Sequence, residues 1–214
     1  MDLLNEISKN LQEGSPERVK KGIEQALAEG ISPNDILHKG LIAGMDAIAE
    51  KFKSGQMFLP EVLMVVGAMK AGLGIVRPLL TRAGIAPEGK ILLGTVRGDI
   101  HDIGKNLVAI MLQGAGFEVV DLGTNIQAEQ FADAVEKERP DVLGLSALLT
   151  TTMVHMQKVI EVLEKRELRG KVKVIIGGAP ISHSYAEEIR ADGYGRDAAT
   201  AVDLVRSLLN KPAP

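Results

Sequence analysis

From Lys90 onward, four short apolar runs recur with helical stretches between them. The runs are "KILLGTV", "EVVDLG", "DVLGLS" and "VKVIIGG", rich in Val, Ile and Leu and without polar alternation. Uninterrupted apolar runs of this length suit strands covered on both faces, as in a parallel sheet. Between them lie "IGKNLVAIMLQGAG", "QAEQFADAVEKERP" and "MVHMQKVIEVLEKRE", each long enough to carry the chain back to the start of the next strand. A βαβ series of this kind has right-handed crossovers and builds a doubly wound α/β domain. A last helix, "DAATAVDLVRSLLN", closes it.

The first eighty or so residues have a different rhythm. Ser15-Pro16-Glu17 combines an N-cap, a proline suited to the first helical position and an acid at the positive end of the helix dipole. Ser32-Pro33-Asn34-Asp35 repeats the signal in a form close to a capping box. Leu37, Leu41, Met45, Ile48 and Phe52 then mark one helical face, and Gly30 and Gly55 stand where helices should stop. A long helix is expected over "FLPEVLMVVGAMKAGLGIVRPLL", with a kink or break at Pro78. The expected organisation is therefore an all-α four-helix bundle over 1–83, a Gly/Pro-rich linker over 84–89 and the α/β domain over 90–214.

Composition narrows the chemistry. With no Cys among 214 residues, disulfides, thiolate metal sites and Cys nucleophiles are excluded. A net charge of −3 gives no electrostatic ground for nucleic-acid binding. The N-terminal "MDLLNEISKNLQEG" lacks the pattern of a signal peptide, and no apolar run is expected to approach the ~20 residues that cross a bilayer. A soluble, cytoplasmic protein that binds no membrane is expected.

In a doubly wound sheet, ligands collect beyond the carboxyl ends of the strands. Three irregular segments fall there: Gly98–Gly104, Ser146–Thr152 and Gly177-Gly178-Ala179. A dinucleotide fingerprint does not fit, because glycines at 94, 98 and 104 lack the G-x-G-x-x-G spacing and a His occupies the turn. Asp121 is a poor substitute for the ribose-binding acid. His101 lies in "GDIHDIGKN", where Asp99 is placed to hold one ring nitrogen and leave the other facing outward. A lone loop histidine is ordinarily just satisfied by its neighbours. As a general base it has no nucleophile beside it, and as a metal ligand it has no partners, since His38, His155 and His183 show no ligand spacing with it. It makes chemical sense chiefly if a metal arrives already coordinated by something else.

Here Asp99-x-His101-x-x-Gly104, followed by Ser146-x-Leu148 and by Gly177-Gly178, resembles the cobalamin-binding domains that hold their cofactor "base-off, His-on". "MFLPEVLMVVGAMKAG" resembles the helical cap beside that domain in cobalamin-dependent methionine synthase and in corrinoid proteins of anaerobic methyltransferase systems. The resemblance implies a Rossmann-like, flavodoxin-like cobalamin-binding domain behind a helical cap, and covers nearly the whole chain.

It also implies roles. His101 is the lower axial ligand of cobalt, and Gly98, Ile100, Asp102, Ile103 and Gly104 belong to the loop against the corrin. Ser146 bonds the buried benzimidazole nitrogen, Leu148 and Thr150 lie by the nucleotide tail, and Gly177, Gly178 and Ala179 leave it room. Asp99 stabilises the imidazolium formed when the axial bond opens, and the family's relay serine corresponds here to Thr152. Phe58, Leu59, Leu63 and Met64 admit two readings. Bundle core is the commoner fate of such residues; the other places Phe58 and Met64 over the upper corrin face, shielding the methyl–cobalt bond.

The implied function is a corrinoid methyl carrier, one component of a multi-component methyltransferase rather than an autonomous enzyme. Its Co(I) accepts methyl from a substrate-specific methyltransferase and passes it, as methylcobalamin, to a second one using tetrahydrofolate or coenzyme M. A reductive activase is a further implied partner. The alternatives are the cobalamin-binding subunit of an adenosylcobalamin mutase and a cobalamin-dependent sensor or regulator. The helical cap argues against the first and the want of an output domain against the second.

Overall fold

The structure, a computed structural model, describes residues 2–211. The chain divides into two compact units: 1–87 with Ile110–Gly116, and Glu88–Ala109 with the chain from Phe117 onward.

The helical unit contains α1 (Leu3–Gln12), α2 (Pro16–Ala28), α3 (Pro33–Asp35), α4 (Ala43–Lys53) and α5 (Leu59–Arg82). A π-helical segment, Ile36–Ile42, joins α3 to α4 without a break. The expected stops are in place. Gly30 and Gly55 take φ of +82° and +72°, and the amides around them close onto the last carbonyls of α2 and α4. The Ser32 hydroxyl accepts the Asp35 amide at 3.0 Å, whereas Ser15 occupies the N-cap of α2 without a side-chain bond. The core is aliphatic: Ile7, Leu11, Val19, Ile23, Leu41, Ile48, Val62, Met69 and Val76 are buried.

Two expectations change on α5. Of the kink or break expected at Pro78, the break is absent: one helix runs from Leu59 to Arg82. Pro78 and Gly74, whose carbonyl loses its i+4 donor, both lie on the exposed side, so the freed carbonyl is open to solvent. At 24 residues, α5 is also long and apolar enough by length and composition to cross a membrane, which the sequence reading did not expect. In this fold Val62, Val65, Val66, Met69, Leu73 and Val76 bury one side of it in the bundle.

The sheet unit carries β1 (Lys90–Thr95), the first part of α6 (Ile103–Gly114, grouped from Ile110 on with the helical unit), β2 (Glu118–Asp121), α7 (Ala128–Glu138), β3 (Val142–Ser146), α8 (Thr150–Lys165), β4 (Lys173–Gly177), α9 (His183–Glu188), β5 (Gly193–Gly195) and α10 (Ala198–Leu208). All pairings are parallel, in the order β2-β1-β3-β4-β5. Against one face pack Phe131, Val135, Met156, Val159, Ile160, Leu163, Ala186 and Ile189 of α7, α8 and α9. By strand alternation Ile91, Leu93 and Ile175 point to the other face.

Sequence reading missed β5 and α9. "GYG" has no apolar run to announce it and becomes a strand only by pairing with β4. The six residues of α9 show too little periodicity, although Ser182 caps them. Edge strand β2 is only partly buried, unlike the run expected from its Val residues. The register matters for function: Thr95 aligns with Ser146, and Ser146 with Gly177. Three strand ends thus stand in one rank, about 4.8 Å apart.

Candidate functional site

The strand order reverses between β1 and β3, so their carboxyl ends flank the crevice where ligands of doubly wound sheets bind. Beyond Thr95 the chain turns at Gly98, with φ +78°, and buries Asp99 completely. Asp99 is the centre of the site. Its Oδ1 accepts the His101 amide at 3.0 Å and faces His101 Nδ1 at 2.7 Å. Its Oδ2 accepts the Leu148 amide at 2.8 Å and the Thr152 hydroxyl at 2.7 Å. Burial pushes this carboxyl up. The bonds from Thr152, Leu148 and His101 outweigh burial and hold it well below the usual carboxylate range.

An ionised acceptor at Nδ1 assigns the hydrogen to that nitrogen, which leaves the Nε2 lone pair available. The His101 side chain is 47% exposed, and no hydrogen bond engages Nε2 among the described residues. His101 is therefore held on one nitrogen and open on the other. Thr152, expected only as the counterpart of a serine, is buried, and its second contact is the Leu149 carbonyl at 3.0 Å.

Apolar side chains accompany the imidazole. Ile100 is 75% and Ile103 68% exposed, and Leu148 and Leu149 are also exposed. Large aliphatics left in water beside a prepared imidazole mark a binding face. Gly104 adds to it: an added Cβ there would meet no atom within 4 Å, so no internal packing needs the glycine. Asp102 accepts Asn106 Nδ2 at 3.0 Å, which settles the start of α6.

The remaining expected residues separate into groups. Ser146, at the end of β3, has no side-chain partner among the described residues. Thr150, first in α8, and Ala179 are exposed. Gly177 and Gly178 have internal reasons: a Cβ at Gly177 would stand 3.0 Å from the Gly195 carbonyl oxygen, and one at Gly178, where φ is +131°, 1.8 Å from that of Ala147. In the helical unit Phe58 is 67% and Met64 60% exposed, with Leu63 exposed too. The bundle-core reading of these residues is wrong; α5 buries its Val62 and Val65 side instead.

Sequence reasoning missed several members. Thr95 donates its hydroxyl to the His101 carbonyl at 3.1 Å, Asn125 contacts the Gly98 turn, and buried Lys105 binds both Asp121 and Asn106. Asp121 is thereby already paired, and it also caps the Gly123 amide. A buried lysine in the first turns of α6 with an acid ending β2 was the available signal. Asn125 gave none.

Among the described residues no three His, Asp or Glu side chains gather as a metal site. The arrangement defines a class: a doubly wound domain presenting one prepared imidazole amid exposed aliphatics. Such a site offers a ligand one open imidazole nitrogen and an apolar surface beside it.

The B12 binding domain family matches residues 89–203, and a second B12 binding domain family matches 3–77. The chain is 42% identical to a corrinoid protein of Desulfitobacterium hafniense, over 99% of each chain. It is 40% identical to the dimethylamine corrinoid protein of Methanosarcina barkeri, over 97% of this chain and 98% of that one. The methanol:cobalamin methyltransferase complex of Methanosarcina barkeri superposes with a TM-score of 0.86 at 31% identity, over 99% of this chain and 81% of that one. The chain belongs to the B12-binding corrinoid proteins of methyltransferase systems, and its cofactor is cobalamin or a related corrinoid.

Proposed function

We propose that the protein is a methyl-carrying corrinoid protein that binds its cofactor base-off with His101 as the lower axial ligand. The observation that carries this reading is the His101 ring itself, fixed at Nδ1 by a buried carboxylate with Nε2 left open. The bound cofactor supplies a Co(I) nucleophile that takes up a methyl group and later yields it. The chain's part is to hold, orient and charge-balance.

With Nδ1 held, Nε2 is the atom that would hold the metal, and it would carry a proton whenever the metal does not occupy it. Asp99, ionised and bonded to Nδ1–H, stabilises the resulting imidazolium, and the Thr152 hydroxyl keeps the carboxylate in place. In this reading the partnerless Ser146 hydroxyl donates to the tail's benzimidazole nitrogen, with Leu148, Thr150, Gly177, Gly178 and Ala179 nearby. Gly98, Ile100 and Asp102 of the turn after β1, with Ile103 and Gly104 opening α6, would lie against the corrin. Exposed Phe58 and Met64 give the helical unit an apolar surface suited to shielding a reactive methyl group from water.

The relatives named for dimethylamine and for a methanol:cobalamin methyltransferase complex support a methyltransferase partner, and the rest of the cycle is part of the proposal. A substrate-specific methyltransferase loads the carrier, a second one using tetrahydrofolate or coenzyme M unloads it, and a reductive activase restores Co(I). The chain works as a cap (1–83), linker (84–89) and carrier domain (90–214) in the cytoplasm.

Reconstitution with hydroxocobalamin followed by paramagnetic resonance of the Co(II) form tests the ligation. The wild-type spectrum should show one histidine nitrogen on cobalt, and His101→Ala should lose it while retaining corrinoid. Wild-type protein that takes up corrinoid without that nitrogen would end the His-on reading.

A further inference from the structure

Among the described residues, five non-glycine residues have positive φ, and four of them follow helix ends: Arg139, Glu167, Arg190 and Asn210 after α7, α8, α9 and α10. The fifth, Asn125 with φ +56°, terminates no helix. A residue held in the left-handed region away from a cap is there for its contacts. Asn125 is exposed, so packing does not explain it.

Its contacts all go to the turn that carries His101. Asn125 Oδ1 accepts the Gly98 amide at 2.8 Å, and the Asn125 amide donates to the Asp99 carbonyl at 2.9 Å. The left-handed backbone lets one residue make both bonds and so bracket Gly98-Asp99. Its own loop is anchored in turn. Lys105 holds Asp121, Asp121 caps Gly123, and the Thr95 amide donates to the Gly123 carbonyl at 3.0 Å.

We infer that Asn125 is a positioning residue that sets the aim of His101 by splinting the Gly98-Asp99 backbone from the loop after β2. The inference rests on the reading of His101 as axial ligand. The Asp99 carboxylate meets its donors at 2.7–3.0 Å from three directions, so a small rotation of the preceding backbone misaligns them together. The ring turns with the carboxylate that holds it.

Three variants separate the side chain from the backbone. Asn125→Gly keeps the left-handed conformation and removes the acceptor, Asn125→Asp keeps both, and Asn125→Ala removes the acceptor and disfavours the conformation. In the apo protein, exchange of the Gly98 amide should rise roughly two- to tenfold in Asn125→Gly, the span expected for losing one such bond. It should rise at least as far in Asn125→Ala and stay at the wild-type rate in Asn125→Asp. In the reconstituted Co(II) form, the fraction of cobalt bearing the histidine nitrogen should follow the same order, with total corrinoid uptake unchanged. Wild-type exchange and nitrogen fraction in Asn125→Gly would overturn the splint, as would an Asn125→Asp variant behaving like Asn125→Gly. A wild-type protein without the nitrogen would instead overturn the ligation on which the inference rests.

Discussion

The loops after β1 and β4 look alike in sequence, each glycine-bearing and each at the carboxyl edge of the sheet, yet they use glycine for opposite purposes. After β4, Gly178 is needed by the protein itself: its φ is +131°, and a Cβ would lie 1.8 Å from the Ala147 carbonyl oxygen. Where the loop after β1 passes into α6, Gly104 has open space where a Cβ would go. One glycine closes the fold and the other leaves a surface bare. Glycines near a site are therefore not equal evidence for a ligand: the one without an internal reason is the stronger.

Gly178→Val breaks the comparison at its structural end and should have the largest effect. Overlap with a main-chain atom cannot be relieved by a rotamer change, so the β3 and β4 loops must move apart. A loss of about 3 kcal/mol or more is expected, visible as a drop of roughly 10 °C in the thermal midpoint of the apo protein. An unchanged midpoint would show that the loop adapts freely.

Asp99→Asn should come next, at about 2–4 kcal/mol. An amide presents an NH2 group on one side, and on either side of Asp99 it would face a backbone donor, His101 N–H or Leu148 N–H. Acid should reproduce part of this in the wild type. The folded carboxyl is depressed below the unfolded value of ~3.9, so its contribution is complete above that pH and is lost progressively as the pH falls below it. Urea midpoints of the apo protein between pH 5 and 2.5 should fall more steeply in wild type than in Asp99→Asn. Parallel profiles would mean that another group governs the acid limb.

Gly104→Ala sharpens the contrast because its two effects have opposite signs. Gly104 is the second residue of α6, where Ala is favoured over Gly by roughly 0.5–1 kcal/mol. The apo protein should therefore become slightly more stable, while corrinoid affinity falls about tenfold if the ligand approaches that backbone closely (~1.4 kcal/mol). Tighter apo folding with undiminished binding would remove Gly104 from the site.

Much of this contrast could not be read from the chain. The apolar runs announced four strands because burial on both faces leaves a compositional record, and the fifth, Gly193–Gly195, left none. His101 and Asp99 were legible because two residues suffice to bring a carboxylate to its neighbour's ring. Asn125 was not, because its role depends on a left-handed backbone and a partner 27 residues away. Phe58 and Met64 illustrate the reverse failure: apolar spacing on α5 does not say which side meets the core, and the buried Val62 and Val65 settle it. Of the kink or break read at Pro78, the break is absent, because the rule for helix interiors takes no account of which face the orphaned carbonyl meets.

Thr152→Ser gives the smallest loss. The family's serine and this threonine offer the same hydroxyl, and here that hydroxyl reaches Asp99 Oδ2 at 2.7 Å. The added methyl, Cγ2, is part of a buried side chain and would stand 3.6 Å from a Cβ on Gly98, an ordinary contact. Thr152→Ser should therefore cost about 0.5–1 kcal/mol of apo stability, the size of one buried methyl group. The nitrogen signal on cobalt should be preserved as well. Thr152→Val keeps the shape but leaves Oδ2 with the Leu148 amide alone, and should cost about 1.5–3 kcal/mol, the range for bonds to a charged acceptor. If Thr152→Ser and Thr152→Val prove equally mild in urea unfolding of the apo protein, the hydroxyl is not what holds Asp99, and the chain from Thr152 to His101 is broken at its first link.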